Sequence, residues 1–446
     1  MSDANQQLNS AKVLSPAMPR KPKVVLDIAP LGWSWSHKQH ARGIHRVAER
    51  TVSGLLAAQQ CELGFMATST IYGSSRLVAE DARFLNTRFL HNDRQVAMSK
   101  WAHEKHQWVA KTYADRRFHL RALRWLAQHL ANRADQMAAR FDLSGLATAD
   151  IYHSLLAPIP AAIGQSRLKR FLTIYDLVPL THPDTVNGKG VPLLRQQLDS
   201  LTPGSFAFCI SQDVRHDLLN CKKMPPENVF VTPLAAAPET FYPVDQPAER
   251  RVVLQKYGIP DAPYFLTLSS FDPRKNFIHL IRCFGQLAEA GELDGCNLLL
   301  VGTNPERHTF FSEAIAQFPK LKHRIITPGF IPDEDLAAIY SGAVAFTFPT
   351  LSEGFGIPAV EAMQCGLPVI SSNTTSMPEV IGDAGLLLDP HDQDAWCAAM
   401  LRVLRDKDLA AGLRQKSLAR AKLFSWQRFI DETLNGYCKS LGGLCG

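Results

Sequence analysis

The chain has 446 residues, 46% hydrophobic and 20% charged, enough apolar side chain to bury a core and too many residues for a single one. Its net charge of +6 is modest, and its nine cysteines are scattered, odd in number and free of any Cys-x-x-Cys. No uncharged apolar run approaches the ~20 residues that a membrane-spanning helix needs. Disordered, disulfide-scaffold, zinc-ribbon and transmembrane classes are thereby set aside, and free thiols in a reducing cytoplasm are expected.

Residues 1–21 are polar, unpatterned and punctuated by proline, so a flexible tail is expected; with no hydrophobic h-region it does not read as a signal peptide. Residues 24–28 form a β-branched apolar run that predicts a buried parallel strand. A long loop over 33–40, rich in Trp and Ser, and a helix over 44–56 follow it, with Gly43 at the helix start. Between residues 100 and 140 lie nine basic residues against three acidic ones, an excess equal to the net charge of the whole chain. Trp101, Trp108, Phe118 and Trp125 are interleaved with them, and Arg117, Arg121 and Arg124 share one helical face. Such a helix can rest on an anionic membrane or grip a pyrophosphate, or it can be an ordinary solvated helix that packs its leucines inward. No recognised nucleic-acid module accompanies the charge, so nucleic acid is not an expected partner.

Further strands are predicted over 171–175, 206–210 and 229–232, followed by an interdomain linker over 241–252. A second series begins at 264–268 and continues through 297–302, 325–326, 343–348 and 368–370, each strand preceding a helical pattern. The expected fold class is therefore α/β: two Rossmann-like domains, 22–240 and 253–425, whose parallel sheets face each other across a cleft. A last helix, 426–446, is expected to cross back to the first domain. Ligands in such sheets bind at the carboxyl ends of the strands.

The densest signal is Glu353-Gly354-Phe355-Gly356-Ile357-Pro358-Ala359-Val360-Glu361. A strand ends at Pro349, and a helix with proline in its first turn begins near Pro358. The turn between them presents backbone N–H groups at a helix N-terminus, suited to anionic or hydroxyl-rich ligands. Two acids flank that turn, Glu353 before it and Glu361 on the helix beyond. Asp272-Pro273-Arg274-Lys275-Asn276 places two cations after another predicted strand.

The E-x7-E spacing with its internal Gly-Phe-Gly-x-Pro, together with Pro-Arg-Lys-Asn upstream, resembles the retaining nucleotide-sugar glycosyltransferases of the GT-B fold, family 4 (glycosyl transferases group 1). The likeness runs from about Lys21 to the end and is strongest from Tyr264 to Pro390. It implies a first domain that binds acceptor and a second that binds the nucleotide sugar. Glu353 is then at the donor sugar, Glu361 on the ribose, and Arg274 and Lys275 on the departing diphosphate. Gly43 lets backbone approach that diphosphate, Gly329, Phe330 and Ile331 read the base through backbone, and Gly354, Phe355 and Gly356 complete the donor site.

Where relatives carry His-Asp at the end of a first-domain strand, this chain has Tyr175-Asp176. Both are candidate sugar or acceptor contacts, Asp176 being equally a loop-capping aspartate. His153, after Ile151-Tyr152, is a third candidate contact or else an ordinary structural histidine. Three D-x-D strings (Asp333-Glu334-Asp335, Asp392-Gln393-Asp394 and Asp406-Lys407-Asp408) sit at predicted helix starts, where acids serve as caps. No metal site or cofactor is expected.

Asp176-Leu177-Val178-Pro179 most resembles O-antigen-type mannosyltransferases. The resemblance thus implies a metal-independent hexosyltransferase, with GDP-mannose as the favoured donor and a glycan or lipid-linked glycan as acceptor, in polysaccharide biosynthesis. It would work in the cytoplasm, peripheral to the inner face of the plasma membrane if the 100–140 segment binds there. The alternatives are a catalytically silent sugar-nucleotide-binding protein and an epimerase or phosphorylase on the same fold.

Overall fold

In a computed structural model, residues 20–37, 43–112, 146–185, 190–268, 272–302, 309–318, 321 and 323–443 are described, with Trp125, His129 and Arg133. Residues 1–19 of the expected tail and most of the basic segment lie outside them. Seven parallel strands make the first sheet: β1 (Lys23–Asp27), β2 (Glu62–Met66), β3 (Arg88–Phe89), β4 (Ile151–Ser154), β5 (Lys169–Ile174), β6 (Ser205–Cys209) and β7 (Val229–Val231). Their spatial order is β3-β2-β1-β4-β5-β6-β7. Six more make the second: β8 (Tyr264–Leu268), β9 (Asn297–Val301), β10 (Ile325–Gly329), β11 (Ala345–Phe348), β12 (Val369–Ser372) and β13 (Gly385–Leu388). These run β10-β9-β8-β11-β12-β13.

Helices cover both faces of each sheet, which is why strands such as β9 are buried along their whole length and read as unbroken apolar runs. In each sheet the strand order reverses once, between β1 and β4 in the first and between β8 and β11 in the second. Chains leaving neighbouring strands at a reversal diverge to opposite faces and open a crevice at the carboxyl ends. The loops after β8 and β11 carry Arg274-Lys275 and Glu353-Gly354.

Two expectations need correction. Residues 33–37 are not loop but part of the helix Ala29–His37. Pro30 sits in the first turn, where its missing N–H costs nothing, and the Asp27 carboxylate accepts the Ala29 N–H at 3.1 Å. Gly32 allows the helix to lie close on its neighbour Ile71–Glu80, since a Cβ there would fall 2.9 Å from the Thr70 carbonyl oxygen. Likewise, the second half of the expected linker is helical, in Pro247–Lys256, with proline in the first turn and Glu249 at the positive end of the dipole.

The helix Trp426–Ser440 lies against the first sheet. Its Gly436 lets Phe208 of β6 pack where a Cβ would come within 2.6 Å of the ring, and the Tyr437 hydroxyl reaches His153 at 2.6 Å. Among the described residues no helix is long and apolar enough to cross a membrane.

Candidate active site

A cleft of about 430 Å³ opens between the two sheets, within the range that holds a small ligand. From the first domain it is lined by Gly43, Arg46, Tyr175 and Asp176; from the second by Arg274, Lys275, Phe330, Ile331, Glu353 to Pro358 and Glu361.

The turn Pro273–Lys275 is built by Asp272, whose carboxylate accepts the Arg274 N–H at 3.1 Å. Asn276 follows with φ +56° and is tied to the Pro390 carbonyl at 2.9 Å, starting the helix Phe277–Glu289. This turn and the loop after β11 are joined by backbone: Leu351 N–H donates to the Arg274 carbonyl at 2.8 Å. Both cations therefore converge on Glu353. Arg274 Nη1 lies 2.8 Å from Oε2, while Lys275 Nζ and the Thr350 hydroxyl bond Oε1, the latter at 3.1 Å.

Glu353 is buried, which raises its pKa, but Lys275 and Arg274 outweigh burial and hold it below the usual carboxylate value. Burial lowers Lys275, and the Glu353 charge only partly offsets this. Burial also acts against the Arg274 charge, yet Glu353 more than compensates and raises its pKa. Asp176 is pushed up, first by burial and also by Glu353, against the lowering pull of Arg274. The site thus holds two cations neutralised by nearby carboxylates, a charge reserve for an incoming polyanion.

Gly356 adopts φ +85° and opens the helix Ile357–Gln364; a Cβ there would lie 2.4 Å from Met377 Cε. Gly354 is held by space instead, because a Cβ would fall 2.2 Å from the Tyr175 carbonyl oxygen across the cleft. The same junction is fixed by the Ser211 hydroxyl donating to the Gly354 carbonyl at 2.7 Å. Phe355 is buried edge-on to Phe424 at 5.6 Å. Gly43 has φ +51°, and a Cβ there would meet nothing within 4 Å, so backbone conformation and not crowding selects glycine.

Two expected contacts, Tyr175 and Gly329, are placed differently, and His153 takes the structural role that was its alternative reading. His153 is not in the cleft: it is buried in the first domain, bonded to the Tyr437 hydroxyl at 2.6 Å and the Thr173 hydroxyl at 2.8 Å. Burial pushes its pKa down to about 3. Tyr175 reaches the cleft wall, but its hydroxyl turns inward to the Leu155 carbonyl at 2.9 Å, and burial raises its pKa. Gly329 does not line the cleft; at φ +82° it accepts the Gly302 N–H at 3.1 Å and turns the chain so that Phe330 and Ile331 do.

The D-x-D strings begin helices. Asp392 accepts the Ala395 N–H at 3.0 Å, Asp406 accepts the Leu409 N–H at 2.9 Å, and Asp333 to Asp335 occupy a first turn.

Sequence reasoning missed Arg46. It extends from the helix Ile44–Ala58, one turn beyond Gly43, to Glu361 Oε1 at 2.8 Å and also pairs with Asp333. Its only local signal is the i, i+3 spacing from Gly43.

Two Rossmann-like sheets closing on a cationic turn and a glutamate-flanked helix start define a GT-B glycosyltransferase. The sequence profile described as "Glycosyl transferases group 1" matches residues 249–420. The chain is 34% identical over 273 residues to O-antigen chain mannosyltransferase B of Escherichia coli, covering 61% of this chain and 71% of that one. It is 28% identical over 332 residues to the serotype-specific mannosyltransferase WbdA of Escherichia coli, covering 72% of this chain but only 40% of that protein. The solved sucrose-phosphate synthase of Thermosynechococcus elongatus shares the fold at TM-score 0.63 and 18% identity, over 95% of this chain and 100% of that one. The chain belongs to the glycosyl transferases group 1 family.

Proposed function

We propose that the protein transfers mannose, with retention of anomeric configuration and without a metal, from GDP-mannose to a glycan or lipid-linked glycan hydroxyl in polysaccharide assembly. The observation that carries the reading is the convergence of Arg274, Lys275 and Glu353 in one interdomain cleft, with Glu361 in the first turns of the helix that follows. The mannosyltransferase relatives support mannose as the sugar.

In this reading the donor diphosphate displaces Glu353 from Arg274 and Lys275, which then stabilise negative charge as the bond from anomeric carbon to phosphate oxygen breaks. Glu353, released from the pair, faces the sugar. Glu361 accepts hydrogen bonds from the ribose, and the backbone at Phe330 and Ile331 meets the base. The acceptor oxygen bonds the anomeric carbon from the leaving-group side and passes its proton to a phosphate oxygen, so no side-chain base is needed. On the helix Asp93–Thr112, Trp101 and Trp108 are exposed beside Lys100 and Lys105, which supports a peripheral site on anionic membrane.

The test is a thermal-shift panel of nucleotide sugars followed by NMR of the product formed with a mannose-containing acceptor. GDP-mannose should stabilise most, and the new linkage should be α, as in the donor. Transfer giving a β linkage refutes retention. Binding without transfer to any acceptor indicates a silent binder, and isomerised sugar without acceptor indicates an epimerase.

A further inference from the structure

Glu361 is 4% exposed, and both its oxygens are occupied from opposite sides of the cleft. Tyr340, from its own domain, donates to Oε2 at 3.1 Å, while Arg46, from the other domain, donates to Oε1 at 2.8 Å. The second terminal nitrogen of Arg46 pairs with Asp333, and its guanidinium carbon lies 5.9 Å from the centre of the Phe241 ring. One planar cation is thus shared by two carboxylates of the second domain, in the fork geometry for which arginine differs from lysine. Opening the cleft would remove that cation and leave the neutral Tyr340 hydroxyl as the side-chain donor to Glu361 from its own domain. The pairing therefore exists only when the two domains meet.

We infer that Arg46 is a positioning residue: on closure it supplies, from the opposite domain, the counter-ion that holds the Glu361 carboxylate charged and aimed at the donor ribose. The inference rests on the ribose role proposed for Glu361. It makes the nucleoside site complete only in the closed protein, so donor binding and closure reinforce each other.

The groups facing Glu361 are Arg46 from the helix Ile44–Ala58, Tyr340 and Asp333 from the helix Asp333–Gly342, and Cys365 just beyond its own helix. Burial raises the Glu361 pKa above its ordinary value and Asp333 adds to this, while Arg46 and the Tyr340 hydrogen bond oppose it. Burial also keeps the Tyr340 hydroxyl and the Cys365 thiol protonated, so neither can replace the lost cation. Without Arg46 the carboxyl should take up a proton at higher pH, and a protonated Glu361 is a poorer acceptor for ribose hydroxyls.

The experiment measures donor KM and kcat from pH 5.5 to 8.5 for wild type, Arg46→Met, Arg46→Lys and Glu361→Gln, with melting temperatures, and calorimetric binding of GDP over the same range. Arg46→Met should raise donor KM about 10-fold or more near pH 6, the scale of a lost charged hydrogen bond, with a smaller change in kcat. The acid limb of 1/KM should move to higher pH, Arg46→Lys should restore part of the loss, and Arg46→Met should add little in the Glu361→Gln background. An unmoved acid limb in a folded Arg46→Met, or a loss confined to kcat, overturns the inference. Should wild type transfer no sugar at all, the functional reading fails instead, and GDP calorimetry still reads the coupling of Arg46 to Glu361.

Discussion

Gly354→Ala places one methyl group where the two domains touch. The added carbon would lie 2.2 Å from the Tyr175 carbonyl oxygen and 3.0 Å from Asp176 Cβ, and the obstacle is backbone, which cannot rotate aside. Contacts below 3.0 Å are essentially never adopted, so the domains must separate locally by about 0.8 Å. Ser211 then loses its 2.7 Å bond to the Gly354 carbonyl. Displacing reacting groups by roughly 1 Å costs about 10²-fold in rate, or roughly 2.7 kcal/mol of barrier. The added methyl meets a loop contact and alters no strand or helix, so the melting temperature should change less than turnover, with kcat falling about 10²-fold. Steady-state kinetics with saturating nucleotide sugar, paired with calorimetric melting and small-angle scattering of the nucleotide complex, measure this. A Gly354→Ala enzyme with full turnover and an unchanged scattering radius would refute the role assigned to closure at this contact.

Lys275→Ala should lower turnover at least ~10²-fold, the scale of a lost oxyanion-type stabiliser, and the check is single-turnover transfer at fixed donor. Tyr175→Phe should leave donor and acceptor kinetics unchanged, because its hydroxyl bonds Leu155 inside the domain; denaturant titration should show a loss of about 1 kcal/mol. His153 gives a pH dependence of stability. Its folded pKa of about 3 lies below the ordinary 6.5, so between these values the unfolded chain binds the extra proton. Stability from this group therefore falls as pH drops below 6.5, by up to about 1.4 kcal/mol per pH unit. Relative to wild type, His153→Gln should flatten the stability profile between pH 5 and 6.5, measured by urea unfolding; parallel profiles count against the assignment.

That Arg274, Lys275, Glu353 and Glu361 line one cleft was legible because their turns are local in sequence. Arg274 and Lys275 share a turn set by Asp272 and Pro273, and Glu353 and Glu361 flank a helix start whose glycine has to adopt a positive φ. Side-chain direction was not legible. Tyr175 and His153 lie near strand ends that border the cleft, yet core packing turns one hydroxyl toward Leu155 and seals the other ring between Tyr437 and Thr173. Arg46 escaped notice because its partner Glu361 is 315 positions away, a contact that only the closed arrangement of two sheets creates. The short strands β2, β3, β4 and β13 were not among the expected strands either. β3 has only two residues, and β2, Glu-Leu-Gly-Phe-Met, lacks the β-branched run that marks β1.

The most direct test is a structure of the protein with GDP bound. The diphosphate should lie within hydrogen-bond reach of Arg274 and Lys275, with Glu353 released from that pair and the ribose hydroxyls on Glu361. A nucleotide seated elsewhere, with the Arg274–Lys275–Glu353 pairing intact, would contradict the account.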